Sequence, residues 1–231
     1  MNLSRHSEVI NPYICKKEIN VIGVGAIGSH VANNLIRLGF NKIKCYDFDK
    51  VEEHNVPNQL YTLKHVGMNK VDAMRQIAGE IVGNTERDFS FEHMKVSKRY
   101  LEKNPMRGYV FICTDTMSSR HSLVERLLKE EDIPPKLIIE TRMGKDSGYI
   151  FSVTHEDYDF WLSKSNYTDE ETEVSACGNS ITVGPTAQLL ASMATWQFIK
   201  HLNGNLNESD KRIGIITQDI WEILGEPQDV I

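Results

Sequence analysis

The chain has 231 residues, with 26 Lys plus Arg against 32 Asp plus Glu, so its formal net charge is −6. Hydrophobic residues make up 40% and charged residues 25%, the usage of a globular chain with one sizeable core and not of a disordered one. The acidic balance argues against non-specific nucleic-acid binding, which needs a basic surface, and no apolar run approaches the roughly 18 residues that would suggest a membrane span.

The opening MNLSRHSEVINPYICKK has no charged segment followed by an apolar one, so it does not read as a signal peptide. The expected location is cytoplasmic. Cysteines stand at 15, 45, 113 and 177 with no C-x-x-C pair, so no zinc site is expected. Without an export signal, disulfides are not expected either. The eight histidines are scattered and form no metal motif.

Ile19 to Ile22 reads as a strand ending at a glycine cluster. Ala26 to Leu38 carries Ile27, Val31, Leu35 and Leu38 at helical spacing, with Gly39 as its C-terminal cap. Lys42 to Tyr46 is a second strand. Lys70 to Val82 puts Val71, Met74, Ile77, Ala78 and Ile81 on one helical face. Tyr109 to Cys113 is an apolar strand, followed by a helix around Ser119 to Lys129. Leu137 to Glu140 and Tyr149 to Thr154 read as strands. His155 to Gly178 is polar, acidic and aromatic without a clear period, and is long for a loop. Gly184 to Leu202 resumes as an apolar helix, and Ile213 to Thr217 is a last candidate strand.

Strands alternating with helices predict an α/β, Rossmann-like fold. Its mostly parallel sheet carries helices on both faces and mixed strands at the C-terminal end. Ligands in such folds bind at the carboxyl ends of the strands. The expected organisation is one domain over 1–204, with 155–178 as a long crossover-type loop, and a C-terminal extension over 205–231.

The strongest local signal is VIGVGAIGSH, where Gly23, Gly25 and Gly28 form G-x-G-x-x-G between a strand and a helix. Glycines there serve the tight turn, close phosphate approach and helix–strand packing. The helix N-terminus adds free N–H groups and a positive dipole end. Nineteen residues past Gly28 stands Asp47, at the distance where a carboxylate holds a ribose. A second carboxylate, Asp49, follows two residues later and points the same way from a strand end. Two carboxylates beside a phosphate site suggest Mg²⁺. The alternative is a solvated acidic turn, since Glu52 and Glu53 continue the run.

Together these residues resemble the ThiF/MoeB/E1 superfamily, ATP-dependent activators of ubiquitin-like and sulfur-carrier proteins. Gly23, Gly25 and Gly28, then Asp47 and Asp49, then Asn55 and Gln59, then Lys70, then Asp115 with Arg120 follow that family's order. Ser4-Arg5-His6 is similar to the arginine-bearing helix before its glycine loop. The resemblance implies that Asp47 holds the ATP ribose, Lys70 neutralises phosphate charge, Asp115 coordinates Mg²⁺ with Asp49 close by, and Asn55 and Gln59 orient the triphosphate. It also implies a homodimer in which Arg5 reaches the partner's phosphates. The implied reaction is adenylation of a small carrier protein's C-terminal glycine carboxylate, with release of pyrophosphate.

Three departures stand out. Asn58, in NVPNQ, occupies the place of the family's arginine; either Arg37, Lys64, Arg75 or Arg120 supplies the missing cation or activity is weak. The zinc-binding cysteine pairs of ThiF and MoeB are missing. No separate catalytic-cysteine domain or ubiquitin-like fold domain is expected within these 231 residues. Cys177 resembles the cysteine that joins the carrier through sulfur in ThiF-like members. The acidic Asp169, Glu170, Glu171 and Glu173 beside it would raise its pKa, which favours a structural role. Tyr158, Phe160, Trp161 and Tyr167 either clamp a carrier tail or pack over the sheet. Cys45 and Cys113 read as core, and Met193 and Trp196 as core or dimer surface. Two other readings remain: an ATP-binding relative that lost its chemistry, and an NAD-dependent oxidoreductase, which would leave Asp49, Lys70 and Asp115 idle. A tRNA-modifying relative is disfavoured by the acidic charge.

Overall fold

Strands β1 (Glu18–Ile22) and β4 (Tyr109–Ile112) are buried at every position but Glu18, because helices cover both of their faces. They pair in parallel at the centre of the sheet. The computed structural model describes residues 2–6, 8–10, 15–83, 88–145, 147–166, 168–169 and 182–216. Among these, seven strands form one sheet in the order β3-β2-β1-β4-β5-β6-β7. β2 (Lys42–Asp47), β3 (Asp88–His93) and β5 (Leu137–Met143) extend the parallel part. β6 (Ser147–Val153) and β7 (Arg212–Ile216) run antiparallel at the other edge. The fold is thus Rossmann-like α/β with mixed C-terminal strands, as the alternating pattern predicts.

Strand alternation sorts side chains into two cores. Ile19, Val21, Tyr109, Phe111 and Ile139 face α1 (Ala26–Arg37), α2 (Lys70–Val82) and α6 (Gly184–Leu202). Ile22, Val110, Ile112 and Ile138 face α4 (Met117–Leu128) and Leu101 of α3 (Lys98–Lys103), together with Trp161 of α5 (Tyr158–Ser163). Phe198 on α6 is the hub of the first core. Its ring meets Tyr109 at 4.9 Å, Phe40 at 5.3 Å and Phe111 at 5.5 Å between centroids.

Most boundaries agree with the periodicities to within two residues. Four regions differ. One is α3, a helix of six residues, too short to show a period. β3, DFSFEH, was not foreseen: it is an edge strand in which only Phe91 is fully buried, so its apolar signal is weak. β5 runs to Met143 instead of stopping at Glu140, because Glu140 and Arg142 are buried and paired inside it. The expected loop from 155 contains α5, with Trp161 buried in the second core. Trp161 therefore packs under the sheet and is not a surface clamp. Tyr167, Glu170, Glu171, Glu173 and Cys177 lie outside the described residues. Among the described residues, no helix is long and apolar enough to cross a membrane.

Because Phe198 bridges three rings, Phe198→Ala should lower the unfolding free energy by about 3–5 kcal/mol. Chemical denaturation checks this; a loss below about 1 kcal/mol would mean the site collapses freely around the missing ring.

Candidate functional site

The carboxyl ends of β1, β2 and β4 meet the N-terminal end of α1, and the predicted phosphate-binding residues gather there. The three glycines are required for three different reasons. Gly23 has φ +85°, and a Cβ on it would sit 2.8 Å from the Cys113 carbonyl oxygen. A Cβ on Gly28 would sit 1.9 Å from the Gly23 oxygen, so the helix could not approach the turn. A Cβ on Gly25 would meet nothing within 4 Å. Its missing side chain leaves room at the start of α1, where no side chain caps the free N–H groups. Such an uncapped N-terminus suits an anion.

Asp47 ends β2 and is buried. Its Oδ2 accepts the Val24 N–H at 2.8 Å and its Oδ1 accepts the Asp49 N–H at 2.9 Å. One carboxylate thereby fixes the glycine loop to the chain that follows β2. Burial pushes its pKa up, opposed by the Lys70 charge and by those two backbone bonds. Lys70, the first residue of α2, places its Nζ 3.0 Å from Asp49 Oδ2, and its backbone N–H bonds the Asp49 carbonyl at 2.9 Å. Lys70 is buried while Asp49 is half exposed, so the carboxylate is the open side of this pair.

The segment between Asp49 and Lys70 folds back over the loop. Tyr61 donates its hydroxyl to the Val24 carbonyl at 2.7 Å, and the Leu60 N–H donates to Ser29 Oγ at 3.1 Å. Asn55 is buried and accepts the Glu52 N–H at 2.9 Å. The Asn58 amide donates to the Thr182 hydroxyl. Gly184 brings the start of α6 against this segment, since a Cβ there would lie 2.7 Å from the Pro57 carbonyl. Three buried polar atoms, Asn58 Oδ1, Gln59 Oε1 and Thr114 Oγ1, have no hydrogen-bond partner among the described residues. Buried groups of this kind usually have partners.

Asp115 is exposed in the turn between β4 and α4. Arg120, five residues on, turns inward: its guanidinium donates to the Thr114 carbonyl, and its Nε lies 3.2 Å from Glu140 Oε1. Asp169 caps α4 through the Met117 and Ser118 N–H groups. The Ser118 hydroxyl foremost, then those N–H groups and the Arg120 charge, hold its carboxyl below the usual range. Cys45 and Cys113 have thiol pKa values raised by burial, Cys113 to about 12. That agrees with a core role for both.

The four cations considered for the arginine missing at position 58 each have another partner. Arg37 bonds Asn33 at the far end of α1, Lys64 bonds Glu80, Arg75 bonds Asp72 and the Phe91 carbonyl, and Arg120 bonds Thr114 and Glu140. Arg5 lies in a short 3₁₀ turn, Ser4–His6. Beside Arg37, Leu38 and Trp196 it lines a cavity of about 490 Å³. That is the C-terminal end of α1, about 18 Å along a 12-residue helix from Gly25. The predicted site residues therefore fall into two groups: the glycines, Asp47, Asp49, Asn55, Gln59, Lys70 and Asp115 around the strand ends, and Arg5 apart from them. Tyr61 and Ser29, which pin the covering segment, escape a motif reading. Their only signal is an aromatic and a hydroxyl beside matched residues.

The ThiF family's sequence profile matches residues 12–224. The chain belongs to the ThiF family. Among curated proteins, ubiquitin-like modifier-activating enzyme 5 of Caenorhabditis elegans is 41% identical over 69 residues, which is 29% of this chain and 16% of that one. The same-named Drosophila mojavensis protein is 28% identical over 118 residues, 46% of this chain and 30% of that one. This ThiF-family chain thus spans a minor part of the length of those relatives. Among solved structures, Escherichia coli MccB with ATP superposes with a TM-score of 0.71 at 18% identity, covering 94% of this chain and 69% of that one. PaaA gives a TM-score of 0.64 at 18% identity, covering 89% and 62%. At these identities the likeness establishes the fold.

The glycines give a paired test. Gly28→Ala should unfold the protein or lower its thermal midpoint by many degrees, because the added carbon overlaps the Gly23 oxygen. Gly25→Ala should keep stability within about 1 kcal/mol of wild type, the ordinary helix-position effect, yet weaken nucleotide binding in a calorimetric titration. Equal ATP affinity in Gly25→Ala would mean that the open face of the turn receives no ligand.

Proposed function

We propose that this chain catalyses ATP-dependent adenylation of the C-terminal glycine carboxylate of a small ubiquitin-like or sulfur-carrier protein, releasing pyrophosphate. The observation that carries the reading is the buried Asp47 bonded to the glycine loop, with the Lys70–Asp49 pair on the same strand ends. A ribose site, an anion site and a lysine cation adjoin one another there. A hydride-transfer enzyme would need the first two and would leave Lys70, Asp49 and Asp115 without a task.

The residues present fit ATP with Mg²⁺. Among the described residues no three or more His, Cys, Asp or Glu side chains form a ready metal cluster. Mg²⁺ bound through phosphates needs only one or two carboxylates, and the half-exposed Asp49 and exposed Asp115 would provide them. When bound, Mg²⁺ neutralises phosphate charge as two anions approach. The chain's own residues do the rest. Asp47, with one oxygen on each backbone N–H, keeps lone pairs for ribose hydroxyls. Free N–H groups at the start of α1 receive phosphate oxygens. Lys70 is held by Asp49 until an anion competes for it. The Asn58 amide, held on the Thr182 hydroxyl, adds no charge to the site. Holding carboxylate and α-phosphate in line against these cations supplies most of the catalysis.

Arg5 lies too far along α1 to serve its own glycine loop, which supports a homodimer in which it serves the partner's site. Its cavity and the half-exposed Trp196 (54%) provide the surface for such a contact. A second reading, a nucleotide-binding relative without turnover, is favoured by one feature: position 58 is an amide bound to Thr182, and the four candidate cations are engaged elsewhere.

ATP–pyrophosphate exchange decides between them, with synthetic peptides ending in Gly-Gly as free acid or amide as probes. Adenylation predicts exchange with the acid only, abolished by Asp115→Ala without loss of fold. ATP binding with no exchange for any acid would favour the inert relative. The shared site is tested separately by mixing Arg5→Ala and Asp115→Ala subunits. One intact site per heterodimer should restore a fraction of the exchange; a mixture as inactive as either parent would refute the trans arrangement.

A further inference from the structure

The second core holds a charged group that none of the proposed chemistry uses. Glu140 on β5 is fully buried, with Arg142 two residues on and pointing to the same face, and Arg120 of α4 reaches the same carboxylate. Arg142 Nε donates to both Glu140 oxygens, at 3.0 and 2.8 Å, and Trp161 Nε1 donates to Oε2 at 3.0 Å. Three elements converge on this one carboxylate.

Each cation has a second task. Arg120 donates to the Thr114 carbonyl, the peptide immediately before Asp115. Arg142 donates to the Lys164 carbonyl at 3.1 Å and to Ser165 Oγ at 2.6 Å, at the exit of α5. His121, one residue after Arg120, reaches the Ser165 carbonyl at 2.7 Å and packs against the Trp161 ring at 5.0 Å between centroids. One arm of the hub fixes the turn that carries Asp115; the other fixes the root of the segment after α5. A purely structural core would be better served by apolar residues, since a buried ion pair seldom outweighs its own desolvation.

We infer that Glu140 is a positioning residue for the metal-binding turn: through Arg120 it sets the Thr114–Asp115 backbone, and through Arg142 and Trp161 it ties that turn to the exit of α5. The inference rests on the reading of Asp115 as a Mg²⁺ ligand beside bound ATP. It adds that metal coupling, and not nucleotide affinity alone, depends on a carboxylate that touches neither ligand.

The test is the ratio of ATP dissociation constants without and with Mg²⁺, measured by calorimetry on the full chain alongside its thermal midpoint. Wild type should bind ATP at least about fivefold more tightly with Mg²⁺, the lower end of ordinary coupling. Glu140→Gln keeps the shape but removes the charge that orients both arginines. Its ratio should fall below about twofold, the coupling being largely lost, while affinity for metal-free ATP changes little. Phe198→Ala, destabilised through the other core, should lose stability yet keep the wild-type ratio. Should Glu140→Gln fail to fold, Trp161→Phe, which deletes only the indole N–H bond, should show a smaller fall. An unchanged ratio in whichever of these variants folds would overturn the inference. Absence of Mg²⁺ coupling in wild type would instead refute the metal reading of the site, and the positioning role with it.

Discussion

A single buried carboxylate, Asp47, holds the site together. Its two oxygens take the Val24 and Asp49 N–H groups, so the glycine loop after β1 and the chain after β2 share one anchor. Taking a carboxylate out of water is costly unless hydrogen bonds replace its solvation, and burial does push the Asp47 pKa up. The two backbone bonds and the Lys70 charge offset that cost. Everything nearby is arranged around this anchor: the Lys70–Asp49 pair, the Tyr61 bond to the loop carbonyl, and the uncapped start of α1. The anchor fixes where a ribose and its phosphates would lie before any ligand arrives.

Much of this was legible in the sequence because the parts that make it are local. A strand, a glycine turn and a helix with period 3.6 are adjacent in the chain, and Asp47 stands a fixed distance beyond. What escaped reading depends on contacts between distant segments. β3 has the polar pattern of an edge strand, and its pairing with β2 is what makes it a strand. Glu140 reads as the last residue of a strand and Arg142 as lying beyond it, because a charge normally ends an apolar run. They are buried because Arg120 and Trp161 meet them from elements 20 residues away on either side. Arg120 matched a family position by sequence, yet only the fold shows that it turns inward, away from the exposed Asp115.

Position 58 concentrates the functional question. An amide there donates to the Thr182 hydroxyl and carries no charge, where the resemblance places a cation. Lys70, paired with Asp49 beside the Asp47 anchor, is then a cation left to the site, and Arg5 of a second copy would be another on the proposed function. An adenylating site with fewer cations would lean harder on Mg²⁺, and so on how firmly the Asp115 turn is held. On the proposed function, the Glu140 hub and the missing arginine would bear on the same requirement, neutralising charge between two approaching anions.

The central claim is that the strand ends form a triphosphate site and not a dinucleotide site. Thermal unfolding of the full chain with ATP, ATP plus Mg²⁺, NAD⁺ and NADP⁺ tests it most directly. Ligand at about a hundred times its dissociation constant adds roughly 2.7 kcal/mol, a shift of several degrees for a chain of this size. The account predicts a rise with ATP that grows with Mg²⁺ and is lost in Asp47→Asn. A rise with NAD⁺ or NADP⁺ alone, and none with ATP, would contradict it.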